Sequence, residues 1–262
     1  MTGIGVGAGL GMLVGHSCIY APGTTSAQFD GVNQYIDFQN NPASSFAISD
    51  PFTFAGWFKT SSAAQQVIIG KMDTVQTHGI QLSVAVGTIY FLLMDHVGDG
   101  DGSWLSVQTT PATFADGAWH CVAGSYDGSQ TVVGMRVFID GTEPAHSDVT
   151  NAGPISLGTG ADLTVGATMN GVTSQFVGNI CHTAVWDIEV PEAKLLTLTG
   201  ASKPLNLLGS YTCCDFSAGL VHWSTDGDGC AIGAGNCLDI SGEADHGTYT
   251  NSDGTDFVLD YP

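Results

Sequence analysis

Runs of β-branched and aromatic residues recur along almost the whole chain, each cut short by a cluster of Gly, Asp, Asn or Ser. That rhythm is the signature of short strands joined by tight turns, and it constrains the fold more than any other feature. The spacing predicts strands over 34–38, 52–59, 66–72, 79–86, 89–94, 104–109, 119–126, 134–139, 163–167, 175–186 and 207–213. In the stretch FTFAGWFK (52–59) apolar residues alternate with small or polar ones, as a half-buried strand requires. Asp127-Gly128 and Asp140-Gly141 read as hairpin connectors in which Gly accepts a positive φ. Only PEAKLLTLT (191–199) reads as a helix, with Pro191 at its first position and Gly200 beyond its end. Many short antiparallel strands with almost no helix predict one all-β domain, a sandwich of two sheets.

Charge narrows the function. Five Lys and Arg stand against 25 Asp and Glu, a formal net charge of −20, and charged residues make up 11 % of the chain. Nucleic acid and anionic membranes require clustered basic residues. Lys59, Lys71, Arg136, Lys194 and Lys203 are spread too widely for that, so neither is an expected partner. No GxxxxGK[ST] or strand-linked GxGxxG marks a nucleotide site. No apolar run reaches the roughly 18 residues of a transmembrane helix. A chain that is 43 % hydrophobic still has ample material for a core.

Residues 1–23 are apolar and glycine-rich, with no Lys or Arg before Lys59. They lack the basic n-region and Leu-rich h-region of a secretion signal. They read as an extended arm, either inserted between subunits or packed on its own domain.

Seven segments follow one another in a telling order: FDGVNQYIDF (29–38), FTFAGWFKT (52–60), IIGK (68–71), ADGAWHCVAGSYDG (115–128), MRVFIDGTE (135–143), LTVGA (163–167) and FVGNICHTAVWDIEVPEAKL (176–195). Together they resemble the laminin G-like members of the concanavalin A-like lectin/glucanase superfamily. DISGEADHGTYTN (239–251) resembles a segment that such domains carry before their first core strand. Its position here suggests that 205–262 supply edge strands and loops of a sandwich spanning 24–262. The resemblance implies a two-sheet jelly roll with binding loops at its rim or on its concave sheet. It leaves the ligand open, because one fold hosts many functions.

Glucanases of the superfamily use paired carboxylates on one strand face. The glutamates here stand at 143, 189, 192 and 243, and no Glu-x-Asp-x-Glu triplet occurs. Asp187 and Glu189 alternate correctly but fall at a strand end, and no GxSxG elbow appears. A glycan hydrolase is therefore the weakest of the three readings below. His120 reads as a ring packed within the sandwich. Calcium, which takes carboxylate and carbonyl oxygens from loops, has candidate ligands in Asp30, Asp99 and Asp101. The resemblance implies an ion near Asp30, yet Ile180-Cys181-His182 replaces the partner carboxylate strand, and aspartates that merely terminate turns explain the same residues. Among seven cysteines, a Cys230–Cys237 bridge would staple the glycine-rich loop between them, while Cys121 and Cys181 read as buried thiols.

For ligand binding the best residue is Trp104, beside Asp99 and Asp101 at the end of the loop DHVGDGDGSW. It is either an exposed ring that stacks on a sugar or a cap on the core. The expected function is a non-catalytic virion surface protein, a decoration or adhesion component in an assembly. Residues 1–23 would contact other virion proteins, and the sandwich would touch surface polysaccharide. A secreted or cell-surface microbial carbohydrate-binding module is the alternative.

Overall fold

A computed structural model describes residues 25–73, 78–95, 102–110, 114–151, 153, 155–157, 160–168, 174–208, 215–226, 236–241, 246–251 and 256–262. The expected arm, residues 1–23, lies outside them. Sixteen strands and one helix follow in chain order: β1 (Ser26–Asp30), β2 (Tyr35–Asp37), β3 (Phe52–Lys59), β4 (Gln66–Met72), β5 (His78–Ala85), β6 (Thr88–Asp95), β7 (Ser103–Thr109), β8 (Trp119–Tyr126), β9 (Met135–Ile139), β10 (His146–Asn151), β11 (Leu163–Val165), β12 (Val177–Trp186), α1 (Glu192–Thr199), β13 (Leu220–Ser224), β14 (Asn236–Cys237), β15 (Gly247–Thr250) and β16 (Phe257–Val258). They form two antiparallel sheets. Seven strands run β16-β1-β12-β3-β8-β9 with β13 alongside β12, and nine run β10-β7-β6-β5-β4-β11-β2-β15-β14. The expected all-β sandwich is what the chain folds into.

Strand alternation builds the core. Phe52, Phe54 and Phe58 of β3 meet Ile80, Leu82 and Val84 of β5 and Phe91 and Leu93 of β6 in one buried cluster between the sheets. Phe52 packs edge-on to Phe91 at 6.3 Å and stacks with Phe46 at 4.9 Å. Phe and branched aliphatic side chains each contribute about 1.5–3 kcal/mol when fully removed from water.

The seven-stranded sheet is covered on its outer face too. Ala184, Ala55, Ala123 and Phe138 stand opposite one another across β12, β3, β8 and β9. Three methyl side chains in a row let α1 approach closely, and Leu195, Leu198, Leu205, Leu207 and Phe216 close over them. Trp186 is fully buried there and donates its indole N–H to the Phe216 carbonyl at 2.7 Å. This cover explains why residues 207–208, expected to begin a strand, form a turn. Leu207 serves as a packing residue, and 209–213 lie outside the described residues. Pro191 precedes the helix as its N-cap rather than occupying its first position.

Candidate functional site

Over the nine-stranded sheet no strand or helix named above forms such a cover, although its outward residues Met72, Gln81 and Ser83 on β4 and β5 are buried. With Ile80, Leu82, Val84, Phe91, Leu93, Leu105 and Val107 committed to the core, their alternate neighbours on β5, β6 and β7 face the other way. Three cross-strand rows result. Ser83, Tyr90 and Gln108 stand opposite one another, then Gly70, Gln81, Leu92, Ser106 and Val149, then Met72, Gly79, Met94, Trp104 and Asn151. Tyr90, Leu92, Met94, Trp104 and Gln108 are half-buried. Gly79 admits no side chain: its φ is +144° and a Cβ would sit 2.1 Å from the Lys71 carbonyl oxygen. The row thereby carries no side chain between Met72 and Met94.

Polar groups on this face have unspent hydrogen-bonding capacity. Gln81 Nε2 and Ser83 Oγ are buried without a partner, a state costing about 1–3 kcal/mol for each group. Among the described residues no hydrogen bond engages the Trp104 indole, the Tyr90 hydroxyl or the Gln108 amide. One aromatic platform, apolar Leu92 and Met94, the Tyr90 hydroxyl and the Gln108 amide, all half-buried, suit a ligand with both an apolar face and a fringe of hydroxyls.

Two clefts elsewhere are chemically poorer. A cleft of about 380 Å³ at the β10 edge is lined by Ile48, Leu105, Gln130, Thr131, Val132 and Asn151 among others, with no aromatic ring. A notch of about 320 Å³ beside the C-terminus of α1 contains Trp57, Trp119, Tyr261 and Asp140. Its polar handles are committed: Trp119 Nε1 donates to Asp260 at 3.1 Å, and the Tyr261 hydroxyl bonds His182 Nε2 at 2.8 Å. Asp140 joins His120 at 2.7 Å, with Asp116 on the other ring nitrogen at 3.2 Å. Burial opposes a proton on His120, but the two carboxylates more than offset it, and its pKa rises. His120 is thus the packed, hydrogen-bonded ring expected. Trp57 is buried, whereas Trp119 is half-buried on the notch, where its N–H serves Asp260.

Comparison with known proteins fits this architecture. A laminin G model of the "Concanavalin A-like lectin/glucanases superfamily" matches residues 30–195. The chain belongs to this laminin G-like family. No curated protein sequence matches it. Among solved structures, a candidate carbohydrate-binding protein from Bacteroides ovatus superposes with a TM-score of 0.54 at 16 % identity, covering 87 % of this chain. The laminin G-like chain spans 58 % of that protein's length. The CBM40 module of a Ruminococcus gnavus sialidase, bound to α2,6-sialyllactose, superposes with a TM-score of 0.51 at 20 % identity over 67 % of this chain and 98 % of the module. At these identities the likeness shows the fold.

Of the expected site residues, Trp104 lies on the open face, on β7 opposite Met94. Its expected neighbours Asp99 and Asp101 lie outside the described residues. Asp30 is exposed, and its Oδ1 accepts the Val32 N–H at 2.8 Å to hold a turn. Its cross-strand neighbour is Val177, and Ile180 and Cys181 are buried. The strand opposite Asp30 thus supplies no carboxylate for the calcium that the family implies, and no three His, Cys, Asp or Glu side chains converge on a metal position among the described residues. Asp187 and Glu189 are exposed just after the end of β12. Cys237 is buried and disulfide-bonded. Cys230, its expected partner, lies outside the described residues. Cys121 is a buried free thiol whose pKa burial raises well above its ordinary value, and Cys181 is buried too. Gln81 and Ser83 carried no sequence signal, since polar residues at alternate positions are ordinary for any solvent-facing strand.

Proposed function

We propose that the chain is a non-catalytic carbohydrate-binding protein that takes a glycan on the outer face of the nine-stranded sheet. The observation that carries this is the half-buried Trp104 ring sharing one sheet face with half-buried Tyr90 and Gln108. A sugar ring offers C–H groups to an aromatic surface and hydroxyls to amides, which is what the face lacks. The carbohydrate-binding neighbours on the same fold support the reading. A non-catalytic role is supported by the scarcity of glutamate, since the face around Trp104 has no carboxylate pair spaced for glycoside hydrolysis among its described residues.

The setting we favour is a virion surface, where residues 1–23 would join the domain to an assembly. The glycine-rich, lysine-free character of that segment supports it. Immuno-electron microscopy of the native source would place the protein on particles, and labelling confined to cells or medium would favour the extracellular microbial module instead.

The test of the site is a glycan array probed with the intact chain and with Trp104→Ala. Loss of a central aromatic contact is expected to weaken binding by about 2 kcal/mol or more, roughly thirtyfold in Kd. The melting temperature should shift by only a few degrees, because the ring is half-buried. Undiminished binding by Trp104→Ala would move the site off this face.

A further inference from the structure

We propose that the ligand of the Trp104 face is an uncharged glycan, so that sialylated, uronate-bearing and sulfated sugars are excluded. The proposal rests on the glycan-binding reading and specifies its ligand class. It follows from the positions of every Lys and Arg in the chain, all five of which are among the described residues.

None of the five reaches the face. Lys59 is paired with Asp260 at 2.8 Å, on the seven-stranded sheet. Lys71 is buried, and its Nζ donates to Asn40 Oδ1 at 2.9 Å and to the Ala161 carbonyl at 2.6 Å. Arg136, on β9, is held by Glu143 at 2.5 Å and Glu192 at 2.9 Å. Lys194, on α1, donates to the Asp215 carbonyl and lies over the Phe216 ring. Lys203 is exposed, but it follows α1 on the opposite side of the sandwich.

A carboxylate or sulfate brought onto the face would leave water without a counter-charge, which is costly in proportion to its burial. The surrounding field adds to the penalty. The chain carries a net −20, and Asp37 stands in line with Gln81, across Thr164 and Gly70. The half-buried polar groups present there are neutral: the Gln108 amide, the Tyr90 hydroxyl and the Trp104 indole. Such groups match hydroxyls and acetamides, and discriminate against charge by omission of a cation.

The experiment compares matched neutral and acidic oligosaccharides, each neutral chain alongside its sialylated, uronylated or sulfated derivative, by calorimetry on the full chain. Neutral members are expected to bind at least about tenfold more tightly than their acidic derivatives. Their Kd should change less than about twofold between about 0.05 M and about 0.5 M salt, since no charge pair is formed. Equal or tighter binding of the acidic derivatives at the same Trp104-dependent face, weakening with salt, would overturn the proposal and leave glycan binding standing. Absence of binding to either set would bring down the glycan-binding reading itself, and the ligand class with it.

Discussion

His222 is buried among apolar side chains with neither ring nitrogen hydrogen-bonded. Its ring packs edge-on to Phe38 at 4.4 Å, and the nearest carboxylate oxygen, on Asp239, is 3.9 Å away. Burial lowers its pKa to about 4. Asp226 is equally buried. Its Oδ2 accepts the Thr183 N–H and hydroxyl at 2.8 and 2.6 Å, while Oδ1 has no partner, and burial raises its pKa to about 6. The signs oppose. His222 takes up its proton more readily when unfolded, so its contribution is present above about pH 6.5 and is lost as pH falls toward 4. Asp226 holds its proton more tightly when folded, so its contribution is present below about pH 4 and is lost as pH rises through 6. Between pH 4 and 6 the two slopes offset each other. His222→Phe should therefore stabilise the fold, with a gain that grows as pH falls, and Asp226→Asn should show a gain that grows as pH rises, each on the order of 2–3 kcal/mol at its limit. Denaturant unfolding across that range checks both, and parallel stability curves for variant and parent would refute the assignment. At this scale the sequence showed only part of the site. Trp104 was legible because a Gly/Asp-rich loop precedes it. Asp226 carried no such signal, because nothing local announces that Thr183, 43 positions away, folds over it.

Strands were easiest to read where both periodicity and turn chemistry agreed. β3, β4 and β8 have the expected bounds, and β9 ends in a turn at Asp140 and Gly141 that closes an Ile139–Thr142 bridge, with φ values of 49° and 77° that are those of a type I′ turn. β10 went unread because HSDVTN is an exposed edge strand with no buried face to impose alternation. β13 went unread because it is short and its partner β12 lies far back in the chain. The two outer faces of the sandwich were not distinguishable from sequence either, since their difference depends on where α1 and the segment after it come to rest. Paired substitutions measure that difference. Leu195→Ala, under the cover of the seven-stranded sheet, should cost about 2–5 kcal/mol. Leu92→Ala, half-buried on the open face, should cost about 1 kcal/mol or less. Equal costs in urea unfolding would mean that the nine-stranded sheet is covered as fully as its partner.

The molecule as a whole is closed by residues far apart in sequence. β15 pairs with β2 to extend the nine-stranded sheet, and β16 pairs with β1 at the edge of the seven-stranded one. One short segment thus contributes to both layers. Tyr249 stacks on Phe29 at 5.5 Å and its hydroxyl donates to the Gln28 carbonyl, while Gln34 Nε2 donates to Asp256 at 2.8 Å. Asp260 then ties Lys59 and Trp119 on two neighbouring strands, and those partners hold its pKa below the usual carboxylate range despite the opposing effect of burial. The family match ends at residue 195, so these contacts are additions outside the matched region. They are nonetheless placed to seal it, because without β15 and β16 the inward edges of β1 and β2 lose their partners and Phe29 loses its stacking ring. Deleting 246–262 should lower the melting temperature by more than about 10 °C and expose apolar surface to a hydrophobic dye. It should also weaken glycan binding only in proportion to the fraction unfolded, since the Trp104 face lies at the opposite end of the nine-stranded sheet. A truncated chain that melts with the parent would show that the sandwich stands without this closure, and one that stays folded but loses its ligand would show that the C-terminal strands reach the site.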